Sequence, residues 1–239
     1  MGGEQTDKKQ YTGEITSGIK PRTFQLTIIN FVYQQLPIWR DDTDRLDEQS
    51  EDKLNLQLCK FLNSCAREDF PMVCFNHEED QTNQRRVDLS ASPVKSMCFG
   101  AKLYTIYDPI LLLEGKRLPA PSSSREKEYV TGPTPKKISG GVQRFKLGLH
   151  GKKHNFVAMI GYVQDRSACH WHGKINGWIL ELVNNPIGDG CIWTANETLN
   201  PLEEDKTKGI ASYRSTHSRT IGDKIELRHL WITMNVEKR

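Results

Sequence analysis

The most apolar run of the chain, Ile110-Leu111-Leu112-Leu113, leads directly into Glu114-Gly115-Lys116. In an extended strand, side chains two positions apart share a face. Leu112, Glu114 and Lys116 therefore point the same way, and Gly115 leaves the position between the two charged groups open to close approach. A strand that has reached solvent would end like this; so would one half of an acid–lysine catalytic site. A second carboxylate, Asp88, stands 26 residues earlier in "RRVDLSAS" (85–92). There Val87, Leu89 and Ala91 alternate with Arg86, Asp88 and Ser90, which puts Asp88 on the polar face. Neighbouring strands can bring Asp88 and Glu114 together at one end of a sheet. Two carboxylates so placed repel, and one pKa rises, unless a divalent cation lies between them. Magnesium, with manganese as a substitute, suits oxygen ligands and keeps several waters, so two carboxylates are often enough. Lys116 would then position a water nucleophile or stabilise developing negative charge.

The elements that must position these groups follow from periodicity. "TFQLTIINFVYQQL" (23–36) is apolar and halted by Pro37, and helix and strand both fit it. After the acidic lead-in 41–52, Ser50 is an N-cap candidate, and Leu54, Leu58, Phe61, Leu62 and Cys65 recur at helical spacing. Glu51 falls on that same inward face, where a carboxylate costs stability unless something pairs with it. Strands are expected over 70–78 and 85–92, joined by the turn 79–84, and over 102–107. The run Ile110–Leu113, apolar on both faces, is expected as a central strand covered from two sides. A loop at 119–124 leads into a helix through "REKEYV"; a Gly/Pro-rich loop (131–141) leads into a short helix capped by Ser139 and carrying Gln143. A strand (154–164), a helix with the stripe Ile175, Trp178, Ile179, Leu182 and Val183, a polar loop and a last strand (224–234) complete the chain.

Glu-x-Lys alone is common by chance. Closing an aliphatic strand, with an aspartate on an alternating strand before it, "RRVDLSAS" and "LLLEGKRLP" together resemble the PD-(D/E)XK nuclease superfamily, over residues 50–165. The segments "REKEYVTG" and "GGVQRFKLGLHG" resemble those of uncharacterised, restriction-like bacterial members. The resemblance implies an α/β restriction-endonuclease-like core with a central mixed sheet flanked by helices, and metal-dependent hydrolysis of nucleic acid. It makes Asp88 and Glu114 the metal ligands and Lys116 the catalytic lysine. It also matches Glu51 to a first-helix acid and Gln143 to a polar residue on the helix after the catalytic strands. No proline precedes Asp88, a departure from the pattern.

The 239 residues, 36% hydrophobic and 26% charged, suit one large domain (21–239) behind a flexible tail (1–20). No run reaches the roughly 18 apolar residues of a spanning helix, and Met1–Lys20 has no signal-peptide core, so a cytoplasmic protein without a membrane partner is expected. The six cysteines form no C-x-x-C pair and are expected as free, mostly buried thiols. "CHWHG" (169–173) lacks the further ligand of a transition-metal site and is expected as a loop leading into a helix, with Trp171 packed down. Glu78 and Glu79 are expected in a solvated turn. The absence of a G-x-x-x-x-G-K-[ST] loop argues against ATP use. A net charge of +3 says little, but Lys206, Lys208, Arg214, His217, Arg219, Lys224 and Arg228 crowd the last part of the chain, and "SYRSTHSRT" (212–220) offers donors for phosphate oxygens.

The expected protein is a magnesium-dependent nuclease acting on nucleic acid, DNA first, in bacterial restriction or antiviral defence, as a homodimer or beside a partner defence subunit. The alternatives are a nuclease-fold nucleic-acid-binding or assembly subunit without catalysis, and a metal-free α/β interaction protein. Because Glu114 and Lys116 are read at a strand end, substituting either is expected to leave the protein folded.

Overall fold

The structure, a computed structural model, describes residues 21–81, 85–99 and 101–235. The expected tail (1–20) and part of the expected turn at 79–84 lie outside the described residues. The protein is α/β, with a mixed, mostly antiparallel seven-stranded sheet and helices on both faces. The helices are α1 (Pro21–Asp41), α2 (Glu51–Asp69), α3 (Gly141–Lys146) and α4 (Ala168–Asn184). The strands are β1 (Val73–Asp80), β2 (Arg86–Pro93), β3 (Met97–Phe99), β4 (Lys102–Tyr104), β5 (Leu111–Leu118), β6 (Phe156–Val163), β7 (Asn200–Asp205), β8 (Ile210–His217) and β9 (Ile225–Thr233). The sheet order is β1-β2-β5-β6-β9-β8-β7, with β5, β6 and β9 mutually parallel and the other neighbours antiparallel. The β3–β4 hairpin stands apart as a two-stranded sheet.

Parity along β5 sorts the two cores. Leu111 and Leu113 join the cluster built by α1, α2 and the hairpin, whereas Leu112 joins the one built by α3, α4 and Tyr129. β5 does not end at solvent. It runs on through Glu114 and Lys116 to Leu118, with Glu114 fully buried and Lys116 5% exposed. The reading of a strand end is therefore corrected: both charged groups lie within β5, paired to β6 and just beyond the ladder with β2.

Pro37 does not halt the first helix, which continues to Asp41. Proline costs a helix interior about 3 kcal/mol, and here the last turn is held by tertiary contacts. Trp39 is buried, and the Arg40 guanidinium donates to Lys208 O at 2.7 Å and Thr233 O at 3.1 Å. On α2 the buried set is Leu54, Asn55, Leu58, Cys59, Leu62 and Ala66, a stripe rotated slightly from the expected one, with Cys65 only half-buried. Ser50 is the N-cap by position, without a side-chain hydrogen bond, and Gly140, not Ser139, caps α3.

Two strands replace the polar loop expected before the last strand. β7 is an exposed edge strand carrying Pro201, Glu203, Glu204 and Asp205, which suits an edge that must not recruit a further strand. β8 hides its alternation because its inward positions include Ser215 and His217. "REKEYV" is covered by a 3-10 helix, Ser123–Tyr129, and "CHWHG" opens α4, with Trp171 buried as expected. Among the described residues the six cysteines are free; Cys59 and Cys191 are buried, and Cys98 and Cys169 are exposed. No described helix is long and apolar enough to cross a membrane.

Candidate active site

The β2–β5 ladder pairs Ala91 with Leu111, Ser90 with Leu112 and Leu89 with Leu113, and there it stops. One residue further, the Asp88 carboxylate takes the role a β2 carbonyl would have: its Oδ2 accepts the Gly115 N–H at 2.7 Å. The strands thus part at the point where Asp88 and the Glu-x-Lys element meet. Gly115 is required there for a second reason. A Cβ on it would overlap the Asn55 Oδ1 of α2, which accepts the Tyr162 hydroxyl at 2.7 Å. Asn55 is one helical turn from Glu51, so one face of α2 delivers both polar groups to this opening.

Glu51 resolves its inward phase by pairing with the site's own lysine. Lys116 Nζ lies 2.5 Å from Glu51 Oε1, 3.2 Å from Glu114 Oε1 and 2.9 Å from Gly115 O. Glu51 Oε2 also accepts the Arg117 N–H at 3.3 Å. Glu114 collects two further partners that sequence reasoning missed: Arg144 Nη1 donates to its Oε1 at 2.9 Å, and His150 Nδ1 stands 3.2 Å from its Oε2 without hydrogen-bond alignment. Glu114 Oε2 is a buried oxygen with no hydrogen-bond donor.

The electrostatics follow. Burial raises the Asp88 carboxyl well above its ordinary range, and the nearby Glu114 charge raises it further, against the pull of Lys116. Glu114 is depressed instead: burial works against its charge, but Lys116, His150 and Arg144 outweigh it. Burial would lower Lys116, yet Glu114, Glu51 and Asp88 together raise it, so it stays an ammonium at neutral pH. Without a cation, then, Glu114 is the carboxylate of the pair that keeps its charge more readily, and Asp88 the one that holds its proton more tightly.

That proton makes a testable difference. A group whose folded pKa is raised contributes stability below its unfolded value and loses it as pH rises through the folded value. Asp88→Asn, which keeps the acceptor for Gly115, should therefore stabilise the metal-free protein more at high pH than at low pH. Urea unfolding in EDTA at high and at low pH measures this.

Gln143 is placed elsewhere. It is fully buried, its Oε1 accepts the N–H groups of Gly132 at 2.9 Å and Gly140 at 3.1 Å, and its Nε2 donates to Asp189 Oδ2 at 2.5 Å. Its amide braces the 131–140 loop through Oε1 and ties α3 to Asp189 through Nε2, so Gln143 is a structural brace; its neighbour Arg144 is the residue of α3 that reaches Glu114. Glu78 and Glu79 lie on β1 and not in a turn. Glu78 pairs with Arg86 at 2.6 Å, and Glu79 accepts the Ser90 hydroxyl at 2.7 Å.

The basic C-terminal segment does not form one patch. Lys206 and Lys208 flank the β7–β8 turn, Arg214 and Arg228 face each other in mid-ladder, and Arg228 is paired with Glu226 at 3.0 Å. His217 is fully buried, and Arg219 spends its guanidinium on the carbonyls of Gly151, Lys152 and His154.

His217 belongs instead to a buried chain, also missed from sequence. Trp231 Nε1 donates to Tyr129 OH (2.9 Å), which meets His229 Nδ1 (2.8 Å); His229 Nε2 meets Ser215 Oγ (2.7 Å), which meets His217 Nε2 (2.7 Å); His217 Nδ1 meets Glu197 Oε2 (3.3 Å). Lys146 closes it with an ion pair to Glu197 at 2.6 Å. Indole donates only and carboxylate accepts only, so one proton arrangement satisfies every link, running from Trp231 to Glu197 with both histidines neutral. Ser215, His217 and Glu197 have the order of a nucleophile, base and acid. Ser215, however, is buried and serves both histidines, so the set is structural.

Burial lowers His217 and His229; Lys146 lowers His217 further against Glu197, and His217 adds to the lowering of His229. A histidine with a depressed folded pKa contributes stability above its unfolded value, near 6.5, that is lost as pH falls toward the folded value. Chemical unfolding between pH 7 and 5 should show stability dropping below about pH 6.5, by up to about 1.4 kcal/mol per pH unit for each histidine. Replacing His229 with Gln should flatten that limb.

No family model matches the chain, and no match was found among curated proteins or solved structures.

Proposed function

We propose that the protein is a metal-dependent nuclease that hydrolyses phosphodiester bonds, with DNA as its substrate and magnesium as its cofactor. The observation carrying this reading is the cluster of buried Glu114 and Lys116 with half-buried Asp88 and Glu51 at the point where β2 and β5 part. A buried ion cluster is a weak source of stability, and its groups have pKa values driven apart, as acid–base sites do. The order α2, β1, β2, β5, β6, with two antiparallel steps and one parallel step, supports the restriction-endonuclease-like reading of the core. A restriction or defence role in the cytoplasm goes with it.

The residues fit a divalent cation of the magnesium type. All donors are carboxylate oxygens, and Glu114 Oε2 is buried without a donor. Among the described residues no three His, Cys, Asp or Glu groups converge as a metal site, so Asp88 and Glu114 would hold the ion with water completing its shell. The ion supplies charge neutralisation and a more acidic bound water. Asp88 must release its proton to become a ligand, which makes cation uptake favour high pH. Lys116, kept protonated, cannot serve as the base; it donates to the phosphoryl oxygens as charge develops. Glu51 holds the lysine by its ammonium and acts as a positioning residue.

One observation favours the second reading, a binding or assembly subunit without catalysis: Glu114 Oε1 is already engaged by Arg144 and Lys116. Incubation with plasmid, linear duplex, single-stranded DNA and RNA, in magnesium, manganese or EDTA, decides between them. Metal-dependent cleavage of a DNA substrate supports the enzyme; no cleavage of any substrate, with salt-sensitive binding, supports the subunit.

A further inference from the structure

A cleft of about 840 Å³ has one-sided charge: its cationic wall includes Lys102, Lys152, Lys153, Arg22 and Arg219, and Asp223 is its one acid. A smaller cavity of about 370 Å³ adjoins it, shares Lys102, Lys152, Lys153 and His154, and reaches Gln81 and the carboxylates of Glu79, Asp80 and Asp108, so the anion site is confined to the larger cleft. The cations are not equivalent. Arg22 is committed to Glu226 at 2.5 Å and lies over the Phe156 ring. Arg219 is committed to the loop backbone, donating to Gly151 O at 2.9 Å, Lys152 O at 3.2 Å and His154 O at 2.6 Å.

The three lysines are different. Among the described residues none of Lys102, Lys152 and Lys153 is in an ion pair with a carboxylate, and all three are exposed. Lys102 is held over the Tyr104 ring at 4.3 Å. Lys152 and Lys153 ride on a loop fixed at both sides, by Arg219 and by the Gly151 N–H donated to Gln81 Oε1 at 3.0 Å. A half-buried guanidinium that orders a loop bearing Lys152 and Lys153 costs like-charge repulsion, which a bound polyanion would relieve. The same loop carries His150, whose ring stands against Glu114. Chain geometry puts the Lys152 and Lys153 backbone within about 7–11 Å of His150. That is about the rise of two or three nucleotides along one strand.

We infer that the cleft walled by Lys102, Lys152 and Lys153 holds the phosphodiester backbone of a nucleic-acid strand, flanking the bond presented to Asp88, Glu114 and Lys116. This assigns phosphate contact to the 150–154 loop and not to the 206–228 segment. It rests on the nuclease reading for the reacting bond, though not for the binding itself. The lysines are positioning contacts, each neutralising one phosphate.

The test is anisotropy of a fluorescent 24-base-pair duplex titrated with the full chain in EDTA over a range of salt concentrations. The variants are Lys152→Gln with Lys153→Gln, Lys102→Gln, and Lys206→Gln from the β7–β8 turn as a control. The lysine pair should weaken binding about tenfold or more and lower the slope of log K against log salt by about 2, and Lys102→Gln by about 1. Lys206→Gln should bind as wild type. Circular dichroism checks folding, and Lys152→Arg with Lys153→Arg should restore binding. Wild-type affinity in the Gln pair, or an equal loss in Lys206→Gln, overturns the assignment. So does displacement of the duplex by inorganic phosphate beyond its ionic-strength effect, which would make the cleft a free-phosphate site. Salt-dependent binding lost in the lysine variants, alongside a wild type that cleaves nothing in magnesium, leaves the cleft standing and removes the enzyme.

Discussion

Glu114→Gln is expected to reduce magnesium-dependent cleavage by at least about 10²–10³-fold while duplex binding in EDTA stays within about threefold of wild type. The substitution keeps the volume and an acceptor for Arg144 but removes the negative charge that a cation and Lys116 both need. Lys116→Gln should lose a similar factor in rate, because the group that donates as charge develops is gone. Glutamine is the informative choice at 114. Glu114 is fully buried against Lys116, Arg144 and His150, so alanine would leave a cavity and take from the buried Lys116 one of its two carboxylate partners, at a cost on the order of a few kcal/mol. The strand-end expectation, that either group could be truncated without harm to the fold, is thus replaced. Loss of rate in a Gln variant with an unchanged unfolding midpoint is the result that assigns the role to chemistry and not to folding. Single-turnover cleavage with matched urea titrations measures both.

The largest effect on stability is expected away from this site. Glu197→Ala should destabilise by about 3–5 kcal/mol, because it leaves the Lys146 ammonium buried and unpaired and takes the acceptor from the end of the Trp231-to-Glu197 chain. Lys146 and Glu197 are 1% and 2% exposed, so water cannot replace the lost partner. Replacing both, as Glu197→Gln with Lys146→Met, should recover a large part of the loss. Equilibrium urea unfolding at pH 7.5 checks this. A Glu197→Ala midpoint within error of wild type would mean that the chain does not hold β8 and β9 to α3.

Much of the frame was legible because it rests on apolar periodicity. The stripes of α2 and α4 come from helical spacing, and β5 and β6 from continuous apolar runs that are buried on both faces; alternation shows only in the first halves of β2 and β9. Glu51 was legible as an inward charge for the same reason, and Asn55, one turn on, carried the same signal unread. What failed to show was held by tertiary contacts of a different kind. α1 passes Pro37 because Trp39 and Arg40 are anchored beyond it. β8 disguises itself by turning Ser215 and His217 inward into hydrogen bonds. Arg144 sits beside the expected Gln143, and the fold uses the arginine for the site and the glutamine for the loop. His150, on a glycine-flanked loop, has no periodicity to place it.

The measurement closest to the central claim is a manganese titration followed by electron paramagnetic resonance, with loss of the free-ion signal counting bound metal. Wild type at pH 8 should take up manganese that magnesium displaces, with uptake weakening as pH is lowered and Asp88 is protonated. Asp88→Asn and Glu114→Gln should each abolish that uptake, and Gln143→Ala should keep it. A wild type that binds no manganese at millimolar concentration, or a Glu114→Gln protein that binds it as wild type does, would contradict a cation held between Asp88 and Glu114.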